Sequence, residues 1–258
     1  MDYGVTFVIA GNVGEIQGGG KKVQTKLSCH VASLYFWYPS QKYESRLDDR
    51  IHACLDAGCD GVEISNGPLG VLDWQPAKET LSRLRRDDVV LTFHAELDDS
   101  IGASIAEMEK KLTSLALPIY NIVFHPVELL SYNLSQLPWP TSIENMDSKA
   151  SWGQTYRDVS LAMTNSGSVG FTYDTAHAME CNPVDFSLLF PPMEVHLSVS
   201  LWNGVSGANH VVTNGQSSFP YIPTGSSLVV LEGIMSDKEA LVREIEYVRE
   251  MLVKRGFS

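Results

Sequence analysis

Residues 170–179 read GFTYDTAHAM. A short apolar run, Phe171-Thr172-Tyr173, stops at Asp174, and His177 follows three residues later. A strand buried in a core should not end on a charge, because a buried carboxylate is costly unless it is paired or holds a metal. The same ending recurs along the chain. Leu91-Thr92-Phe93 runs into His94, Ile122-Val123-Phe124 into His125, Ser142-Ile143 into Glu144, Val195 into His196, and Val229-Val230-Leu231 into Glu232.

Outward from these endings, strand and helix signals alternate. Strands are predicted near 27–33, 61–65, 89–94, 119–125, 141–144, 169–173, 193–197 and 227–232. Most are short and apolar, as strands buried on both faces should be. Between them, Leu47, Ile51, Cys54 and Leu55 make a helical stripe that Gly58 is placed to end. Ile101, Ile105, Met108, Leu112 and Leu115 make a second stripe, and Trp152, Tyr156, Val159 and Met163 a third. The last helix carries Leu241, Ile245, Val248 and Leu252, with Ser236 and Glu239 as its capping box and Gly256 beyond its end. The crossovers 126–140 and 183–190 are weak, the first holding only a short predicted helix from Val127 to Leu137.

Eight strands, mostly followed by helices, predict an α/β protein with a closed (β/α)8 TIM barrel as one domain over residues 26–258. Residues 1–25 are a short N-terminal extension, and its Gly18-Gly19-Gly20 turn signal suits a hairpin.

A chain of 258 residues that is 44% hydrophobic and 19% charged is long enough for one such core. No apolar stretch is long enough to span a bilayer, so no membrane partner is expected. The start, Met1-Asp2-Tyr3, lacks the basic segment of a signal peptide. Cys29, Cys54, Cys59 and Cys181 form no CxxC pair and read as free thiols, which makes the cytoplasm the expected compartment. The net charge is −12, and no lysine or arginine occurs from 158 to 237. A nucleic-acid surface needs a basic stripe, so no nucleic-acid partner is expected.

In an α/β barrel the active site lies at the C-terminal ends of the strands. His94, His125, His177 and His196 fall at or just after predicted strand ends, and His210 lies in the long loop after the seventh strand. Glu144, Asp174 and Glu232 also end strands. A lone histidine at a strand end is more often a hydrogen-bonded core residue than a ligand. Repetition at so many strands points instead to a shared metal. Converging His, Asp and Glu without cysteine suit Zn2+, Mn2+, Mg2+ or Fe2+. His52, in the first helix, and His30 read as structural.

Four stretches carry a family resemblance: Ser142-Ile143-Glu144-Asn145-Met146, Tyr173-Asp174-Thr175-Ala176-His177, Val195-His196-Leu197-Ser198 and Leu231-Glu232-Gly233. With Gly58-Cys59-Asp60-Gly61-Val62-Glu63 at the second strand, they resemble the xylose isomerase-like TIM barrels over most of the chain. That superfamily includes sugar isomerases and epimerases, dehydratases, and enzymes of the endonuclease IV type. The epimerase branch implies one metal held by Glu144, Asp174, His196 and Glu232. Its two glutamates exchange a proton at substrate carbon, and His177 stands beside the metal as a polar contact. The endonuclease IV branch implies a three-metal cluster that adds His94, His125, His177 and His210. It also implies an aspartate two residues before the last histidine, where this chain has Ala208.

The charge map favours the first branch: a divalent-metal-dependent isomerase or epimerase with Glu144, Glu232 and His177 catalytic. A phosphodiesterase acting on DNA would want cations in the loops after strands six to eight. A neutral sugar or polyol would not. Aromatic residues crowd Tyr35-Phe36-Trp37-Tyr38, and Trp37, Glu63 and Trp202 are expected to line the substrate pocket. Metal-dependent phosphodiester hydrolysis and dehydration or lyase chemistry stand as alternatives. No lysine ends a strand, which argues against Schiff-base chemistry, and no Gly-rich phosphate loop follows one. A barrel that keeps the metal for binding alone is disfavoured by the glutamates on strands five and eight. The substrate and the oligomeric state, a homo-oligomer included, are left open.

Overall fold

The computed structural model describes residues 30–33, 47–65, 74–95, 101–126, 132–181, 186, 191–200, 210–223, 225–233, 235 and 237–257. The N-terminal extension, Trp37 and its aromatic neighbours, Trp202, Ala208 and Ser236 lie outside them.

Eight parallel strands form one sheet. They are β1 (His30–Ser33), β2 (Gly61–Ser65), β3 (Val90–Ala95), β4 (Ile119–Phe124), β5 (Thr141–Glu144), β6 (Gly170–Asp174), β7 (Glu194–Leu197) and β10 (Leu228–Leu231). The hydrogen-bonded order is β1-β10-β7-β6-β5-β4-β3-β2. The two end strands, β1 and β2, come into contact, so the sheet curls round on itself. Helices α1 (Leu47–Asp56), α2 (Lys78–Leu84), α3 (Ile101–Leu115), α4 (Tyr156–Ser166), α5 (Thr175–Glu180) and α6 (Lys238–Lys254) lie between or after the strands. This is the TIM barrel expected from the sequence, with each predicted strand present within a few residues of its expected place. A two-stranded antiparallel hairpin, β8 (Val199–Ser200) with β9 (His210–Val211), sits in the crossover after β7. No described helix is long and apolar enough to cross a membrane.

The strands are buried on both faces, but the faces differ in chemistry. Alternate side chains of a strand point to opposite sides of the sheet. Phe93, Ile122, Phe124, Ile143, Phe171, Tyr173, Val195, Leu197, Val229 and Leu231 belong to the large apolar core shared with the helices. The alternate residues turn into the barrel and are mostly polar: Thr92, Asn121, Ser142, Thr172 and Glu194 are all buried. Asn121 Nδ2 donates to Ser142 Oγ at 2.7 Å, and Ser142 Oγ lies 2.5 Å from Thr172 Oγ1. Thr92 Oγ1 donates to Glu63 Oε2 at 3.0 Å. The prediction of apolar strands therefore holds for the outer face alone.

Local signals explain the helix ends. Thr155 and Asp158 form a reciprocal capping box that starts α4, and Gly167, in the left-handed region at φ 68°, ends it. Trp152 precedes that cap, so it packs against the core from outside the helix predicted to contain it. The predicted helix from Val127 to Leu137 is reduced, in its described part, to one 3-10 turn at Leu134–Gln136, capped by the Asn133 side chain. Pro138 and Pro140 follow closely, and proline cannot continue a helix. His52 sits outside the barrel, with Nε2 3.0 Å from Thr80 Oγ1 and Nδ1 2.6 Å from Arg83 Nη1.

Helix α6 is capped by Asp237, one residue later than the predicted Ser236. Asp237 Oδ1 accepts from Ala240 N at 2.7 Å. Replacing Asp237 with Ala should lower unfolding free energy by about 1 kcal/mol, the usual cost of losing an N-cap. Chemical denaturation monitored by far-UV circular dichroism would measure it.

Candidate metal centre

Six of the eight strands deliver a side chain to the barrel mouth at or just after their ends. His94 comes from β3, Glu144 from β5, Asp174 from β6 and His196 from β7. Glu232 follows β10, held in line by its backbone N–H donating to Leu197 O at 3.1 Å. His125 directly follows β4. His177 is on α5, one helical turn beyond Asp174. Asp174 caps this helix: its Oδ1 accepts from His177 N at 2.6 Å, which leaves Oδ2 facing the site. His210 arrives from the hairpin, where it pairs with Ser200.

The side chains converge. Glu144, Asp174, His196 and Glu232 each present a donor atom, all within 4.8 Å of one another. A second tetrad, Glu63, His94, His196 and Glu232, meets the same test, as do two triads: His94, His125 and Glu144, and Asp174, His177 and His210. His196 Nδ1 is 3.0 Å from Glu144 Oε1 and 3.0 Å from Glu232 Oε1. His94 Nε2 lies 3.2 Å from Glu144 Oε2, and His125 Nε2 lies 3.4 Å from the same oxygen. His210 Nδ1 lies 3.4 Å from Glu232 Oε2 and 3.9 Å from Asp174 Oδ2. Thus every histidine and carboxylate expected at the metal is brought together. His125 and His210, at 22% and 26% exposure, are the most exposed members of the cluster.

The donor set fits a divalent cation. Glu144 Oε2, Asp174 Oδ2 and Glu232 Oε2 are buried without a hydrogen-bond partner, as are Glu63 Oε1, Glu194 Oε2 and His94 Nδ1. Leaving a charged buried group unsatisfied costs upwards of about 1–3 kcal/mol. So many in one basin are balanced when a cation sits among them. Nitrogen and carboxylate donors without sulfur suit Zn2+, Mn2+ or Fe2+.

Two expected features are placed differently from each other. Glu63, expected at the substrate pocket, lies at the base of the cluster and is 3% exposed, with Oε2 3.5 Å from His196 Nε2. Trp37 and Trp202 fall outside the described residues. Sequence reasoning passed over several residues that shape the site. Asn145 Oδ1 accepts from Asp174 N at 2.8 Å and its Nδ2 donates to Asp174 O at 3.0 Å, which locks the end of β6. Asn145 O lies 2.8 Å from His177 Nδ1, which fixes that ring. Ser198 Oγ lies 2.8 Å from His210 Nδ1. Glu244 of α6 accepts from Thr213 N, Thr213 Oγ1 and Asn214 N, and so anchors the segment just after His210. A Cβ at Gly233 would come within 2.7 Å of Val212 Cα, so this glycine lets the hairpin close over the end of β10. Glu194 shares the inward face of β7 with His196, and the two-residue spacing was the available signal.

The chain matches no family model, and no curated protein matches it in sequence. Solved structures do match in shape. Its fold is similar to that of sugar 3-epimerases. A D-tagatose 3-epimerase-like protein superposes with TM-score 0.61 at 15% identity, covering 87% of this chain and 97% of that one. A D-psicose 3-epimerase from Clostridium cellulolyticum H10 superposes with TM-score 0.59 at 12% identity, covering 89% and 100%. SacUVDE superposes with TM-score 0.51 at 11% identity, covering 87% and 99%. The resemblance to xylose isomerase-like barrels read from the strand-end motifs therefore holds for the fold.

Electrostatics in the metal-free cluster make stability depend on pH. Burial opposes the charged form of His94, but the hydrogen bond and charge of Glu144, with Glu63, hold it at about 9. Burial likewise opposes charge on His210, while Asp174 and Glu232 lift it to about 10. Burial and the neighbouring Glu63 push Glu194 up to about 8. Histidines raised above 6.5 stabilise the fold below that pH and lose the contribution as pH passes 9 to 10. Glu194, raised above 4.5, acts in the same direction up to pH 8. The chelator-stripped protein should therefore show a falling Tm as pH rises from about 6.5 to 10. Zn2+ should flatten that slope, because coordinating histidines are already neutral. Differential scanning fluorimetry across the range, with and without Zn2+, tests both statements.

Proposed function

We propose that this protein is a divalent-metal-dependent isomerase or epimerase of a sugar or polyol, working by proton transfer next to a carbonyl. One observation carries the reading. Glu144 and Glu232 each turn Oε1 toward His196 Nδ1 and the tetrad, and each keeps a buried Oε2 without a hydrogen-bond partner. Each glutamate can thus give one oxygen to a cation and keep the other for a proton. A cation held by Glu144, Asp174, His196 and Glu232 would supply positive charge beside the substrate's oxygens.

The chain's own groups do the rest. Glu144 Oε2 takes a proton from the carbon beside the carbonyl, and Glu232 Oε2 returns one from its own side. His94 and His125 flank the first oxygen and His210 the second, so each carboxylate has an imidazole beside it as its charge changes. His177, fixed through Nδ1 by Asn145 O, would contact a substrate hydroxyl. The similarity of fold to sugar 3-epimerases agrees with this reading, as does the lack of lysine and arginine from 158 to 237.

A second reading has its own support. The two triads beside the tetrad can each take a further cation. Five buried carboxylates, Glu63, Glu144, Asp174, Glu194 and Glu232, crowd the basin, more than the single tetrad uses. Two or three metals would suit phosphodiester hydrolysis, in which separate cations stabilise the attacking and leaving oxygens.

Metal content of the purified protein separates the two. One tightly held ion per chain, lost in Asp174→Ala, supports the isomerase. Two or three ions, together with incision of an abasic DNA duplex or its submicromolar binding, would overturn it in favour of the hydrolase.

The proton-transfer step has its own check. The wild type should wash a carbon-bound substrate hydrogen into deuterated water. Glu232→Gln should lose about 10²–10⁴-fold in turnover while still binding substrate, the usual worth of general acid–base catalysis. Turnover of an identified ketose without solvent exchange would sink the mechanism.

A further inference from the structure

His196 keeps its two ring nitrogens in different company. Nδ1 faces the tetrad, 3.0 Å from Glu144 Oε1 and 3.0 Å from Glu232 Oε1. Nε2 faces away from it, 3.1 Å from Glu194 Oε1 and 3.5 Å from Glu63 Oε2. A neutral imidazole has one N–H and one lone pair, and the partner of one nitrogen decides which is which. Glu194 lies two residues before His196 on β7, so both project inward, with Glu194 one layer deeper in the barrel. It is fully buried, and it belongs to none of the four groups whose atoms converge closely enough for a cation. It is therefore a buried carboxylate beside the metal site but outside its ligand sets.

We propose that Glu194 is a positioning residue for the metal centre: it accepts the Nε2–H of His196, so that the Nδ1 lone pair is the one offered to the cation. Glu63 is the second acceptor on that side. It stands opposite Thr92 in the β2–β3 register and is oriented by the Thr92 hydroxyl at 3.0 Å. The hydrogen bond behind the ring makes Nδ1 a stronger donor and fixes the ring plane toward Glu144 and Glu232. The polar lower layer of the barrel thus has a task beyond filling space: it sets tautomer and affinity for the layer above. This inference rests on the tetrad holding a divalent cation.

The test uses the full-length protein stripped with a chelator and titrated with Zn2+ against a chromophoric competitor. Glu194→Gln keeps the size of the side chain and replaces the carboxylate with an amide, a weaker acceptor. It should weaken Zn2+ binding by about 10–100-fold, the usual cost of losing a partner behind a ligand. The metal-free variant should still give a folded circular dichroism spectrum. In ¹⁵N-histidine spectra of the Zn2+-loaded wild type, His196 should carry its hydrogen on Nε2. A role in packing alone would leave both the affinity and the tautomer unchanged. Wild-type Zn2+ affinity in Glu194→Gln, or a hydrogen on Nδ1 of His196, would overturn the proposal while leaving the metal site standing. A wild type that holds no Zn2+ would remove the metal reading and this inference together. Should Glu194→Gln fail to fold, the tautomer in the wild type decides alone.

Discussion

His196 stands where four carboxylates meet. Glu144 and Glu232 lie against one ring nitrogen and Glu63 and Glu194 against the other, with the ring fully buried. Such a cluster can persist only if positive charge is shared among its members, from protons or from a cation. In the metal-free protein the protons do it. His94, His196 and His210 are held charged against the pull of burial, while burial and its carboxylate neighbours push Asp174 up. A divalent cation held there would replace that arrangement with a single compact charge. Burial, orphaned oxygens and histidine chemistry all follow from this one requirement.

The barrel is what makes the cluster affordable in stability. Its outer face is apolar and packs ten or so strand side chains against the helices, so the hydrophobic driving force does not depend on the interior. The inner face is then free to be polar. Asn121, Ser142 and Thr172 satisfy one another across three neighbouring strands, and Thr92 satisfies Glu63. Above that layer the strand ends hold the ligand groups in register: Asp174 stands opposite His196, and Val230 opposite His196 on the other side. The rim adds His177 and His210 from elements that are not barrel strands, α5 and the β8–β9 hairpin. Those elements are secured by Asp174 as a helix cap and by Glu244 as a buried anchor.

Much of this was legible in the amino-acid sequence by itself. Apolar runs bounded by turn residues placed eight strands, and helical spacing placed most helices. The repeated ending of those runs on His, Asp or Glu marked the mouth of the barrel, because parallel strands of one barrel all end on the same side. Eight side chains named on that ground do come together. Local signals failed where two capping candidates were adjacent, as with Ser236 and Asp237. They failed also where a helical pattern was too short to propagate, as between Asn133 and Pro138.

What only the tertiary structure decided is which atoms face which. Sequence shows Glu194 as one more acidic residue at a strand start. Its proximity to His196 Nε2 exists only because an inward face has been chosen and the barrel closed. The same holds for Glu63, which the sequence marks in the second strand as a substrate-pocket residue, and which instead meets His196 across the barrel interior. Glu244 reads as one of several glutamates on a helix, until the chain after His210 folds back to offer it three donors. Strand periodicity is a property of the chain. The pairing of side chains across a closed barrel depends on register and curvature, which are set jointly by all eight strands, so no local stretch of sequence contains it.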